Sequence, residues 1–171
     1  MEDILGKIIS YLLMVFALFI AIMSLLTGVD RTMDIYITNK ATSFVDVCCT
    51  TGRVEPENYE AFCQSIYKIG NYDIELCHGK RLALWSDEDG EASVSYKETY
   101  TEEILAKMYE SDEDVNKAYV LSNGDYIKIT IRKESKGLSG GLYQFFLNRD
   151  SKSNLLVNYS GIVGSNGIVT P

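Results

Sequence analysis

The sequence predicts an α+β fold: a long N-terminal transmembrane-plus-stalk helix followed by a small mixed α/β head with an antiparallel hairpin. Three observations predict it. The first 28 residues are strongly apolar, a helical periodicity continues beyond them, and the later chain mixes short strand-like and helix-like runs. A chain of 171 residues has room for an anchor and one small domain. We therefore divide it into an anchor (1–28), a stalk (29–52) and a head (53–171).

The anchor is defined by its lack of charge. Ile8 to Gly28 are 21 residues without a charged side chain, and about 20 apolar residues are enough to cross the ~30 Å core of a bilayer. A cleaved signal peptide is the alternative. However, the run exceeds the length of about 7–15 residues typical of a signal core, the leader MEDILGK is not basic, and no A-x-A site follows. We expect a retained single-span anchor in the cell membrane.

The remainder of the chain is acidic. Residues 29–171 contain 15 basic and 22 acidic side chains, a net charge of −7. This charge repels phosphate backbones and anionic lipid headgroups, so we expect no nucleic-acid partner and no docking of the acidic domain onto the membrane surface. Basic residues flank the span on both sides and barely discriminate its orientation. We expect a cytoplasmic N-terminus and an extracytoplasmic head, because a long acidic domain after a single span is commonly translocated.

The stalk continues the helical pattern of the anchor. Apolar residues recur at steps of three and four along residues 29–48, and the next Gly or Pro after Gly28 is Gly52. We predict one helix over about residues 4–49, with two helices broken at Gly28 as the alternative. The apolar stripe expected to pack against other helices consists of Met33, Tyr36, Ile37, Ala41, Phe44 and Val45.

The first half of the head contains a helix and two strands. Pro56 occupies a plausible first helical position and Gly70 a stop position. NYDIELCH alternates apolar and polar residues as a half-buried strand does, and RLALW extends it. SDEDGE is a predicted turn and ASVSYK a predicted partner strand.

The second half contains a helix, a hairpin and a last strand. Thr99 and Glu102 have the spacing of a capping box ahead of an apolar helical run. Asn123-Gly124 separates two β-prone runs, which predicts a hairpin with its turn at this dipeptide. GLSGGLYQFFLNR is a predicted amphipathic or loop segment, and NLLVNYSGIV is the predicted last strand.

The residues give little support for catalysis or metal binding. His78 is the single histidine, at the predicted end of a strand, and its neighbour Cys77 points to the opposite face. The acidic clusters at 87–89 and 111–114 lack the spacing of a calcium loop. We expect no catalytic residues, no cofactor, no metal and no small-molecule substrate.

The four cysteines leave the disulfide pattern open. Their spacing matches no common zinc site, whereas an extracytoplasmic head permits disulfides. Two bridges, one bridge and no bridge are all compatible with the sequence, and a bridge from the stalk to the head would join the two. The residues concerned are Cys48, Cys49, Cys63 and Cys77.

Three pieces of the sequence together resemble a known family. They are the span with its uninterrupted amphipathic helix, the stretch TGRVEPENYEAFCQSIYKIGNYDIEL, and the late VNYSGIV. This layout resembles pilin-like single-span membrane proteins, and more narrowly TadE-like pseudopilins of Gram-positive bacteria. Gly6 is not followed by the Glu that type IV prepilins usually carry at the fifth mature position, so the resemblance does not imply prepilin processing.

The resemblance implies a non-enzymatic component of a pilus, secretion or conjugation apparatus. Such a component packs through its N-terminal helix against copies of itself or sister pseudopilins. The alternative is a monomeric membrane-tethered extracytoplasmic module for binding or sensing. In that case the apolar stripe of the stalk folds back onto its own head.

Overall fold

The longest element of the structure is its N-terminal helix, α1. The computed structural model describes residues 2–84, 93–109, 117–134, 141 and 156–164. α1 covers Glu2–Thr51, 50 residues without interruption, or about 75 Å at 1.5 Å per residue. The predicted continuous helix is confirmed, and the alternative of two helices broken at Gly28 is wrong. The predicted turn at 86–91, both acidic clusters and, apart from Gly141, segment 137–149 lie outside the described residues.

α1 ends at the glycine that the sequence indicates. Gly52 has a φ of 66°, a conformation that glycine adopts without steric cost, and its N–H donates to the Cys48 carbonyl at 2.9 Å. The chain then forms β1 (Arg53–Val54) and α2 (Pro56–Tyr67). Pro56 is the first residue of α2, as predicted.

The rest of the head is built around a four-stranded antiparallel sheet. The remaining elements are β2 (Tyr72–Leu84), β3 (Ser93–Tyr100), α3 (Thr101–Met108), β4 (Tyr119–Val120), β5 (Tyr126–Lys133) and β6 (Leu156–Ile162). The sheet has the strand order β3-β2-β5-β6. β2 and β3 pair antiparallel from Cys77 opposite Tyr100 to Leu84 opposite Ser93. This pairing confirms an antiparallel hairpin in an α+β head.

The hairpin predicted at Asn123-Gly124 is wrong. β4, which precedes this dipeptide, pairs with β1 instead of β5, with Tyr119 opposite Val54. The N–H of Leu121 donates to the Gly52 carbonyl at 2.8 Å. The turn itself forms, since the N–H of Asp125 donates to the Ser122 carbonyl at 3.0 Å, but the strand before it pairs with β1 beside the end of α1.

The capping box predicted at Thr99 is also wrong. Thr99 is a buried residue of β3 opposite His78, and Tyr100 is the N-cap of α3 without a side-chain hydrogen bond. The hydroxyl of Thr101 bonds instead to β2: it accepts from the Leu76 N–H at 2.7 Å and lies 3.2 Å from the Leu76 carbonyl oxygen. The start of α3 is thus fixed by the sheet.

The core lies between one face of the four-stranded sheet and the helices. We call this the inner face, and the opposite one the outer face. Ile127, Ile129 and Ile131 of β5 point inward and are fully buried. α1 packs against β5, β6 and α2, so the head is assembled directly on the upper part of α1.

Candidate membrane helix and its junction with the head

The lower part of α1 is an apolar cylinder that the head does not cover. Every side chain from Ile4 to Leu18 is exposed; Leu12 and Met14, for example, are 69% and 72% exposed. Among the described residues, α1 is the one helix long and apolar enough to cross a membrane, with a peak mean hydropathy of 2.6. This fits a single-pass membrane protein.

One face of α1 becomes covered well below the end of the apolar run. Met23 is only 6% exposed, although it lies inside the predicted span from Ile8 to Gly28. The side chains of this covered face recur at steps of three and four: Phe19, Met23, Leu26, Asp30, Met33 and Ile37. The apolar span therefore enters the folded part of the protein before its own end.

The predicted packing stripe divides into two parts. Met33 is half-buried and Tyr36 is 41% exposed. The upper members are buried in the core of the head: Ile37, Ala41, Phe44 and Val45. From Ile37 upward, the stripe is therefore covered by the same chain.

The contacts of this upper stripe are close. The rings of Phe44 and Phe62 of α2 stack with centroids 4.7 Å apart and an interplanar angle of 23°. On β6, a Cβ added to Gly161 would lie 2.7 Å from Cys49 Sγ and 3.2 Å from a Val45 methyl. A glycine at this position lets β6 approach α1 more closely than a larger residue would.

The opposite side of α1 carries a row of small residues, which the sequence reasoning missed. The small-residue face consists of Gly6, Ser10, Ala17, Ala21, Ser24 and Gly28. At 3.6 residues per turn, these positions share one side of the helix, roughly opposite the covered face. Their steps of three, four and seven were visible in the sequence.

Two members of this face have no packing role within the chain. A Cβ added to Gly6 or to Gly28 would meet no atom within 4 Å. Glycine in a helix interior costs about 1 kcal/mol relative to alanine, so neither glycine is explained by the contacts of the described residues. Small residues on a membrane helix allow a second helix to approach closely.

All four cysteines are free thiols. Cys48 and Cys49 lie on α1, and Cys63 on α2 packs against the core. Cys77 lies on the outer face, because it alternates along β2 with Leu76, which points into the core. The sheet therefore separates Cys77 from the cysteines of the helices.

The Cys48 thiol is expected to be unreactive in the folded protein. Burial, with smaller contributions from Cys49 and Glu55, raises its pKa to about 12. Because the thiolate is the nucleophile, a pKa this high makes its reactive fraction at pH 8 about a thousandfold smaller than that of an ordinary thiol. The reactivity of Cys48 is measured by alkylation with iodoacetamide in buffer and in urea, followed by peptide mass spectrometry. Equal rates of Cys48 alkylation in the two conditions would contradict it.

A buried polar network joins three parts of the head. His78 Nε2 lies 3.0 Å from Asp125 Oδ2, and His78 Nδ1 lies 2.8 Å from the Tyr119 hydroxyl. Asp125 also accepts hydrogen bonds from the backbone N–H groups of Arg81 at 2.9 Å and Ser122 at 2.8 Å. The network ties β2, β4 and the turn at residues 122–125 together.

The charge of Asp125 determines how the network is protonated. Burial alone would raise its pKa, but the N–H donors of Arg81 and Ser122, with His78, hold that pKa below its usual value. With Asp125 ionised, His78 Nε2 donates to the carboxylate; in the neutral imidazole, Nδ1 then accepts from Tyr119.

The position of His78 favours a structural role. The sequence placed it at the end of a strand, whereas it lies within the 13-residue β2 and is only 5% exposed. Both of its ring nitrogens already have partners. Within the described parts of the chain, no group of three His, Cys, Asp or Glu side chains could hold a metal ion.

Comparison with known proteins identifies no relative. No protein-family model, curated protein or solved structure matches this chain. The features of this chain that bear on function are α1, its exposed lower part and its junction with the head.

Proposed function

We propose that this protein is a non-enzymatic, single-span membrane subunit of a pilin-like apparatus, of the TadE-like pseudopilin type. Its N-terminus lies in the cytoplasm, its head lies outside the cell membrane, and it packs against like helices through the lower part of α1. The apparatus is a pilus or a related secretion or conjugation machine.

The single observation that carries this proposal is the rigid connection between anchor and head. α1 continues from the exposed Ile4–Leu18 region into the core around Ile37 without a break. A simple tether needs only a flexible linker, which leaves head and anchor free to reorient. A continuous helix instead fixes the orientation of the head relative to the anchor, as a subunit that must repeat in an assembly requires.

The small-residue face supports the same proposal and specifies the packing side. It points away from the side of α1 on which the head is built. Two copies can therefore bring their lower helices together without a collision between the covered faces. In lipid, this association depends on close van der Waals packing, because burying apolar surface there gives little advantage.

Disulfide cross-linking of the full chain in membranes tests the proposal. Single cysteines at Ala17 and Ala21 are compared with cysteines at Leu12 and Val15, which lie on the other side of α1. We expect several-fold more disulfide-linked dimer from Ala17→Cys and Ala21→Cys. The wild-type chain, whose native cysteines all lie above the span, gives the background.

A second variant makes the test sharper. Ala21→Leu, placed in the Ala17→Cys background, should reduce the yield of dimer because a larger side chain separates the helices. Val15→Leu in the same background is the matched control and should leave the yield unchanged. Equal yields from both sides of α1, or none from either, would contradict packing through this face.

The second candidate is a monomeric membrane-tethered module for binding or sensing. The observation that favours it is the burial of Ile37, Ala41 and Val45 within the head of the same chain. The upper part of α1 therefore needs no partner to hide its apolar side chains. A chain that stays monomeric in the cross-linking experiment, with its head folded, would support this candidate.

A further inference from the structure

A depression lies on α1 where the apolar run meets the polar part of the chain. Its volume is about 520 Å³, and the residues that line it include Phe19, Ile20, Met23, Ser24, Gly28 and Arg31. It extends along the helix from the fully exposed cylinder to the first basic residue above the span. Its two ends differ in chemistry.

The lower end of the depression is apolar. Ile20 is 52% exposed and presents hydrocarbon at the depth of the predicted span, beside the buried Met23. Ser24 and Gly28 leave the middle open, because a Cβ added to Gly28 would meet nothing within 4 Å. Such a surface suits an acyl chain better than it suits a polar solute.

The upper end of the depression presents one cation. Arg31 is exposed, and it makes no ion pair with any residue in the described part of the chain. The nearby hydroxyls are already engaged, since Thr27 donates to the Met23 carbonyl at 2.8 Å and Thr32 to the Gly28 carbonyl at 2.9 Å. Among the described residues at this end, recognition of an anionic group therefore falls to the Arg31 guanidinium.

The height of Arg31 matches the level of lipid phosphates. It lies three residues above Gly28, the end of the uncharged run, which is about 4.5 Å along a helix. The headgroup layer on each side of the hydrocarbon core is roughly 5–7 Å thick. The guanidinium fork binds phosphate oxygens in a bidentate manner, which a Lys ammonium does not.

We propose that this depression holds one phospholipid molecule, with its phosphate on Arg31 and an acyl chain along Ile20 and Gly28. The apolar lower end argues for a lipid over free phosphate, and the cation at the upper end argues for a lipid over an apolar helix around Arg31, above the Ala17 and Ala21 part of the small-residue face. The inference rests on α1 crossing the membrane as proposed above. It does not require the chain to assemble.

Native mass spectrometry of the full chain in detergent tests the site with phosphatidylglycerol as the probe. Wild type is compared with Arg31→Gln and with Arg53→Gln, whose guanidinium instead pairs with Glu55 at 2.8 Å. We expect one bound lipid per wild-type or Arg53→Gln chain, and at least a tenfold weaker retention by Arg31→Gln. Equal retention by wild type and Arg31→Gln would overturn the proposal.

Two further ligands and one further variant distinguish a phospholipid site from a simple anion site or a purely apolar groove. Diacylglycerol has the same chains without the phosphate and should bind weakly, with no difference between wild type and Arg31→Gln. Inorganic phosphate should not displace the lipid; displacement would show an anion site and overturn the assignment. Gly28→Leu, which keeps Arg31 but fills the depression, should also reduce retention, and unchanged retention would contradict the proposed acyl-chain position.

The two experiments probe different parts of α1, because cross-linking reports on Ala17 and Ala21, whereas lipid retention reports on Arg31 and Gly28. Loss of dimer with lipid retained would reject packing through the small-residue face and keep the lipid site. Dimer formation without Arg31-dependent lipid would do the reverse.

Discussion

Replacing Asp125 with alanine is expected to lower the free energy of unfolding of the head by roughly 3–5 kcal/mol. The carboxylate is 2% exposed and accepts three hydrogen bonds. Its removal leaves the N–H groups of Arg81 and Ser122 and the His78 imidazole without their acceptor. The His78 donor is buried and the two backbone N–H groups are partly buried, and a fully buried donor left unpaired costs about 1–3 kcal/mol. Pulse proteolysis of the full chain in urea and mild detergent measures the change.

The matched control is Asp73→Ala. Asp73 also lies on the four-stranded sheet, but its carboxylate is half-exposed and 3.7 Å from Arg132, so we expect a change below about 1 kcal/mol. A similar small change for Asp125→Ala would show that the buried network contributes little to stability.

At acid pH, the contribution of the Asp125 carboxylate to the stability of the folded head should be lost. Because its pKa in the folded head lies below the ordinary value of 3.8, its contribution is complete above that value and is lost as pH falls through the folded pKa. The stability difference between wild type and Asp125→Ala should therefore narrow below pH 3.8. A difference that stays constant into strong acid would contradict the assignment of an ionised carboxylate.

Replacing Ala41 with aspartate is expected to destabilise the head by at least about 3 kcal/mol. Ala41 is fully buried on α1 within the core, so a carboxylate there would lose its water and displace neighbouring side chains. The expected result is a head that no longer packs on α1 and is cut by protease at lower urea concentrations than wild type.

Ser43→Asp is the control for this change. Ser43 lies two residues away on the same helix but is exposed, so the same carboxylate remains in water and the stability should stay within about 0.5 kcal/mol of wild type. Equal proteolysis of the two variants would contradict the packing of the upper stripe within its own head. That result would favour the alternative in which the upper stripe packs against other helices.

These two sites stabilise the head by different means. Ala41 and its neighbours on α1 form an apolar seam with the sheet. The network at Asp125 fixes the turn that leads from β4 into β5, and the N–H of Val163, just after β6, donates to the Asp125 carbonyl at 2.8 Å. The apolar seam supplies burial, and the network specifies which strands meet beside the end of α1.

Local signals in the sequence were sufficient for several elements. The absence of Gly and Pro between Gly28 and Gly52 predicted that the helix continues past the span to about residue 49, and α1 ends at Thr51. Pro56 marked the start of α2, and alternation along NYDIELCH predicted β2. These predictions succeeded because helix continuity, helix starts and strand alternation depend on residues close together in the chain.

Local signals failed where residues distant in the sequence supply the hydrogen-bond partners or the neighbouring strand. Asn123-Gly124 forms the predicted turn, but the strand before it pairs with β1, and the N–H of Leu121 bonds to Gly52, 69 residues earlier in the sequence. Thr99 has the spacing of a cap, but it faces His78 across two strands. The polar partners of His78 could not be predicted for the same reason.

The sequence by itself determined the tall helix, its apolar lower part, the α+β character of the head and the side of α1 that carries small residues. Only the tertiary structure decided what covers the stripe above Met33, which strands are neighbours, and where His78 finds its partners. The physical reason is that periodicity shows that a face must be buried, whereas the surface that buries it is chosen by the packing of the whole chain.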